Sequence, residues 1–270
     1  MNETVTGLAD VNGTRIYYEI AGSGHPVVLN HGGSLDTRMW DDQFELFARR
    51  YRVLRYDLRG YGRSAVPDGP YSRAGDLAAI MDHVDIDHAY QVGMSMGGGI
   101  VIELTLTHPG RADALVLVGS GLGRGGRWSR EWRDLSETRD RITREEGVDA
   151  GNEYWLGSHI FAPVLERPEV GRRVREIVMA YSGWLWLNED PHVTPEPPPA
   201  QRLEQVHAPT LVMVGERDIP DCLRIAELLE ERIPDSRKVV LPGVGHASNM
   251  EDPDSFNETV LEVLAELDRR

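Results

Sequence analysis

Short apolar runs alternate with amphipathic stretches along the first third of the chain. "TRIYYEIAG" (14–22) alternates apolar and polar positions and is β-branched and aromatic, which predicts a half-exposed strand. "PVVLN" (26–30) and "RVLRYD" (52–57) are short apolar runs of the kind found in buried strands. Between them "DDQFELFARR" (41–50) has a helical period that puts Phe44, Phe47 and Ala48 on one face. "AGDLAAIMDHV" (74–84) predicts a second helix with Leu77, Ile80, Met81 and Val84 inward. "HAYQVGM" (88–94) reads as a strand, "GGIVIELTLTHP" (98–109) as a strongly apolar helix ended by Pro109, and "DALVLVGS" (113–120) as a strand. Strands alternating with helices imply a mostly parallel central sheet with helices on both faces, an α/β architecture.

The rhythm breaks between 121 and 200. No buried-strand run occurs there, and the segment carries Trp128, Trp132, Trp155, Trp184 and Trp186, five of the six tryptophans. Helical stretches such as "EVGRRVREIVMAYSGWLW" (169–186) lead into the proline-rich "PHVTPEPPPAQ" (191–201), which favours extended backbone. The strand–helix alternation then returns in "PTLVMVG", "DCLRIAELLEERI", "RKVVLPG" and "SFNETVLEVLAEL". The expected organisation is one α/β core formed by 1–120 and 201–270, with 121–200 inserted as a helical cap.

Composition narrows the partners. A formal net charge of -15 over 270 residues disfavours nucleic acid and anionic membrane surfaces. Cys222 is the sole cysteine, so no internal disulfide can form. The N-terminus lacks a basic region followed by an apolar run, and no stretch approaches the length of a membrane span. The expected setting is cytoplasmic, with a small molecule as partner and a homo-oligomer compatible with the sequence.

Gly93-Met94-Ser95-Met96-Gly97 matches G-x-S-x-G, with a strand before it and an apolar helix directly after it. That context is what a nucleophile on a sharp strand-to-helix turn requires. The flanking glycines remove Cβ clashes, and the Met96 amide falls at a helix N-terminus, where it can donate to a developing oxyanion. A serine hydroxyl needs a base, and the base needs an orienting carboxylate. His246 follows the last expected strand and Asp218 follows the strand before it, so both fall with Ser95 at the carboxyl edge of the sheet. Asp221 and Glu216 are nearby rivals for the acid. A second oxyanion donor is expected from "LNHGGSLDTRMW" (29–40), with the Gly33 amide chosen and Ser34 as runner-up. His31 lies before these glycines and is expected to support the turn. Trp40 and the cap residues Trp128, Trp155, Trp184 and Trp186 are expected to line an apolar substrate pocket.

His31-Gly32-Gly33, the stretch Asp57-x-Arg59-Gly60-x-Gly62-x-Ser64, the Gly93–Gly97 turn, Gly215-x-x-Asp218 and Gly245-His246 together resemble the α/β-hydrolase superfamily. The resemblance covers nearly the whole chain outside 121–200, where that superfamily places a variable cap. "YRVLRYDLRGYGRSAVPDGPYS" and "DIDHAYQVGMSMGG" look closer to its 3-oxoadipate enol-lactonase and esterase branch. The resemblance implies cofactor-free hydrolysis of a carboxylic ester or lactone through an acyl-enzyme. A carbon–carbon bond hydrolase or a cofactor-free perhydrolase would use the same triad, and a non-catalytic binding protein could share the fold.

Two glycine patterns point instead to a dinucleotide. "GYGRSA" (60–65) is followed by "VPDGP", which cannot open the helix that a pyrophosphate uses. "GLGRGG" (121–126) comes late in the sheet and runs into the aromatic insertion. No cofactor is expected. No metal is expected either, because the chain has no H-E-x-x-H, no paired cysteines and no histidine pair close in sequence.

Overall fold

Eight strands form one sheet in the computed structural model, which describes residues 4–123 and 125–269. They are β1 (Val5–Val11), β2 (Thr14–Gly22), β3 (Pro26–Asn30), β4 (Arg52–Tyr56), β5 (Ala89–Met94), β6 (Ala112–Val118), β7 (Thr210–Gly215) and β8 (Ser236–Leu241). Their spatial order is β1-β2-β4-β3-β5-β6-β7-β8. β2 pairs antiparallel with β1 and β4, and the remaining neighbours are parallel. Every residue of β5 and β7 is buried, as expected of strands covered on both faces.

β1 is not announced by the hydrophobic pattern, because Val5 and Leu8 stay about half exposed at the sheet edge. The missed signal is Asn12-Gly13. Both residues have positive φ (47° and 70°), which a two-residue hairpin of the type I′ class requires.

The core helices are α1 (Asp41–Phe47), α2 (Arg73–His83) and α3 (Met96–Thr107). Ser72 caps α2 by accepting the Gly75 N–H, satisfying one of the amides orphaned at a helix start. Between β6 and β7 come α4 (Arg130–Glu146), α5 (Val148–Leu156), α6 (Ala162–Leu165), α7 (Pro168–Met179) and α8 (Trp184–Leu187), with no strand among the described residues there. Ser129 caps α4, and Pro168 begins α7, where its missing N–H costs nothing. α9 (Pro220–Arg232), α10 (Ser248–Glu251) and α11 (Pro253–Leu267) complete the chain. No described helix is long and apolar enough to cross a membrane.

The strand–turn–helix joining β5 to α3 positions the site. A Cβ on Gly93 would sit 2.5 Å from the Gly97 carbonyl oxygen, and one on Gly97 would collide with the Asn30 carbonyl. Gly98 is equally constrained, since a Cβ there would collide with the Ser120 hydroxyl. These glycines serve close packing of α3 on the sheet.

Candidate active site

Ser95 occupies the turn between β5 and α3 with φ 52° and ψ -112°, a region that L residues rarely adopt. Surrounding hydrogen bonds hold it there. Its amide donates to the Val118 carbonyl at 2.9 Å, and its carbonyl accepts from Gly98 at 3.1 Å and Gly121 at 2.9 Å. Strain of this kind, about 1–3 kcal/mol, persists only where the surroundings over-determine the backbone.

His246 and Asp218 lie in the turns after β8 and β7. The Nδ1 of His246 is 3.0 Å from both carboxylate oxygens of Asp218, and both residues are buried. Asp218 Oδ1 also accepts the Ile219 amide at 2.7 Å. This bifurcated contact orients the imidazole through Nδ1, and His246 lines the cavity. Gly119 makes room for it: a Cβ there would lie 2.9 Å from Asp218 Oδ2 and 3.0 Å from His246 Nδ1. Ser95 and His246 line the same cavity.

Gly33 and Met96 are neighbours on the cavity wall. A Cβ on Gly33 would be 4.0 Å from Met96 Cε, and both residues line the cavity. Among the described residues neither amide donates a hydrogen bond within the protein. Ser34 has positive φ, donates its hydroxyl to the Gly33 carbonyl at 2.6 Å and accepts the indole N–H of Trp155 at 2.8 Å.

The other polar candidates have structural partners. His31 is fully buried, donates from Nδ1 to the Gly32 carbonyl at 2.8 Å and accepts the Leu58 amide on Nε2 at 2.9 Å. Burial holds its pKa below the ordinary imidazole value, consistent with a neutral ring pinning the loop. Asp57 accepts the Thr37 and Arg63 amides, each at 2.8 Å. Asp221 accepts the Ser129 amide and hydroxyl, tying the entry of α4 to α9. Glu216 accepts the exposed Gly243 amide. Cys222 Sγ is 3.7 Å from His246 Nδ1, but burial pushes its thiol well above the ordinary range, so it is no thiolate nucleophile.

The cavity has a volume of about 480 Å³. Of the tryptophans expected at a pocket, Trp128, Trp155 and Trp186 line this cavity. Trp40 and Trp184 do not line it. Trp40 is fully buried beneath α1 and α11 with its ring 6.3 Å from Phe256, so it is a core residue. Trp184, two residues from Trp186 on a single helical turn, necessarily points elsewhere. Trp132 replaces them, stacked on Trp128 at 4.8 Å and edge-on to Trp155 at 5.5 Å.

One part of the cavity lining is polar and has no signature in the local sequence. Arg73, Glu103, Asp190 and His192 line the cavity, joined by Arg73–Asp190 at 2.7 Å and His192–Glu103 at 3.4 Å. His192 is therefore a second histidine beside a carboxylate, but Arg73 N donates to its Nδ1 at 3.4 Å, so both of its nitrogens face structural partners. Arg139 also reaches the cavity, its guanidinium 4.9 Å and 4.7 Å from the rings of Trp155 and Trp186. Glu251 is a missed support of the histidine loop: its Oε2 accepts the Gly245 amide at 2.8 Å. These residues carry no local motif and come from separated elements. Of "GLGRGG", Gly121, Gly123, Gly125 and Gly126 line the cavity, while Arg124 lies outside the described residues.

Comparison with known proteins identifies the fold family. The family defined by the alpha/beta hydrolase fold matches residues 25–253. RutD of Azorhizobium caulinodans, named "putative carbamate hydrolase", is 30% identical, covering 94% of this chain and 96% of its own. The enol-lactonase of Burkholderia xenovorans LB400 superposes with a TM-score of 0.82 at 28% identity, covering 96% of this chain and all of the other. A thermophilic esterase from Thermogutta terrifontis superposes with a TM-score of 0.82 at 26% identity, covering 97% and 99%. A match spanning most of the chain, together with the mostly parallel eight-stranded sheet and these relatives, makes this chain a hydrolase that belongs to the α/β-hydrolase fold family.

Proposed function

We propose that the chain hydrolyses a carboxylic ester or lactone through an acyl-enzyme on Ser95. The observation that carries this reading is Ser95 held in strained backbone on the wall of a cavity shared with a carboxylate-oriented His246. The enol-lactonase and esterase likenesses support the same bond class.

His246 removes the Ser95 proton as the hydroxyl oxygen attacks the carbonyl carbon. Asp218 fixes the imidazole tautomer and stabilises the cation that forms. The Gly33 amide and the Met96 amide at the start of α3 receive the oxyanion. His246 then returns its proton to the leaving oxygen, giving an alcohol or opening the lactone. A water, deprotonated by His246, attacks the acyl-enzyme and releases the acid.

Residues 121–200 act as a cap over a core formed by 1–120 and 201–270. Trp128, Trp132, Trp155 and Trp186 make its inner face apolar, and closing such a face over the carbonyl excludes bulk water.

Parallel assays with a p-nitrophenyl ester, an aliphatic lactone and a vinylogous diketone test the bond class. Turnover of the ester or lactone, lost in Ser95→Ala, is expected. Turnover of the diketone alone would assign carbon–carbon hydrolysis instead.

A further inference from the structure

We propose a second site at the opposite edge of the sheet, a surface site for one divalent transition metal of the zinc type, built from His25, His88 and Asp113. Each residue sits where a parallel strand begins. His25 immediately precedes β3, His88 immediately precedes β5, and Asp113 is the second residue of β6. β3, β5 and β6 are adjacent in the sheet, so the backbone itself brings the three side chains together. They lie far apart in sequence, and no local spacing announces them.

Their ligand atoms converge. Asp113 Oδ2 is 3.0 Å from His25 Nε2 and 2.6 Å from His88 Nδ1, and all three atoms lie within 4.8 Å of one another. Ligand atoms on a tetrahedral zinc, at bond lengths near 2.1 Å, are about 3.4 Å apart. The cluster therefore needs shifts below roughly 1 Å to close around an ion. Binding requires the tautomers that carry their protons on His25 Nδ1 and His88 Nε2, leaving the converging nitrogens as acceptors. Two imidazoles and one carboxylate suit zinc, nickel or copper and not calcium or magnesium, which take oxygen ligands.

The surroundings favour a cation. Arg111, the nearest residue in sequence that could neutralise Asp113, instead donates to Asp82 and to the Ala78 and Ile86 carbonyls. Asp268 accepts from the Tyr51 and Tyr90 hydroxyls, and the His25 ring packs on Tyr90 at 4.2 Å. That packing also limits rotation of His25. His88 is the exposed member and leaves a coordination position open to water.

The site is separate from the hydrolytic centre. β5 lies between His88 and Ser95, and at the rise of a strand this separates them by roughly 20 Å. A bound ion ties together the starts of three strands, so it stabilises the folded chain by mass action without touching the substrate cavity.

The test is calorimetric titration of the tag-free full chain with zinc chloride at pH 7.5, alongside p-nitrophenyl ester hydrolysis. One equivalent should bind, the melting temperature should rise with zinc, and hydrolysis should be unchanged. His88→Ala and Asp113→Asn should each weaken binding by about tenfold or more and abolish the thermal shift, while His207→Ala should do neither. Lowering the pH to 5.5 should weaken binding, because the imidazoles must shed protons to ligate. Absence of binding to the wild-type chain would overturn the proposal. So would binding that survives in His88→Ala and Asp113→Asn and abolishes hydrolysis, which would place the ion at Asp218, Cys222 and His246, the other cluster of ligating atoms.

Discussion

The indole N–H of Trp155 donates to the Ser34 hydroxyl at 2.8 Å, fastening the helical segment over the cavity to the loop that carries Gly33. α5 and the proposed oxyanion donor are therefore positioned together. Trp155→Phe keeps most of the ring and removes this bond. It should cost about 1 kcal/mol of stability, read by denaturant unfolding, and lower kcat more than it raises KM. An unchanged kcat would show that the loop holds its geometry without the bond to α5.

Asp218 presents both oxygens to His246 Nδ1. Asp218→Asn can accept that proton on only one atom and favours the wrong tautomer. Turnover of a p-nitrophenyl ester should fall on the order of 10³–10⁴-fold, while His192→Ala, which removes the other histidine in the cavity, should cost far less. A larger loss in His192→Ala would reassign the base.

The strain at Ser95 makes a stability prediction of unusual sign. Ser95→Gly should abolish hydrolysis yet stabilise the chain by about 1 kcal/mol relative to Ser95→Ala, since glycine adopts φ 52° freely. Equal melting temperatures for the two variants would mean that the turn is not strained.

Tryptophans inside and outside the cavity should separate by readout. Trp40→Ala empties a fully buried core position and should cost about 3–5 kcal/mol of stability. Trp132→Ala should leave most of the stability and raise KM for bulky aromatic esters more than for acetate esters. A KM effect at Trp40 and none at Trp132 would place the pocket elsewhere.

Burial of Glu251 raises its carboxyl pKa above the ordinary 4.5. The folded chain therefore holds this proton more tightly than the unfolded chain. The stability it contributes is complete below the unfolded value and is lost as pH rises through the folded one. Relative to Glu251→Gln, whose amide cannot ionise, the wild-type chain should lose stability as pH rises above 4.5 in unfolding experiments. Parallel pH curves for the two proteins would contradict this assignment.

The parts legible in the sequence are those written in local pattern. Buried strands such as 26–30 and the apolar helix after Ser95 show as runs and periods, and Ser95, Asp218 and His246 follow strands in order. β1 escapes because an exposed edge strand has little apolar signal. Trp40 and Trp184 mislead because tryptophan serves cores and pockets alike, and only packing separates the two uses. Arg73, Asp190, His192 and Glu251 escape because their roles arise from contacts between distant segments. The cluster of His25, His88 and Asp113 escapes for the same reason.

The most direct measurement of the central claim is peptide mapping by mass spectrometry after reaction with a fluorophosphonate. One adduct per chain on Ser95 is predicted, absent from Ser95→Ala and strongly slowed in His246→Ala. An unlabelled Ser95 in a chain that still hydrolyses esters would contradict it.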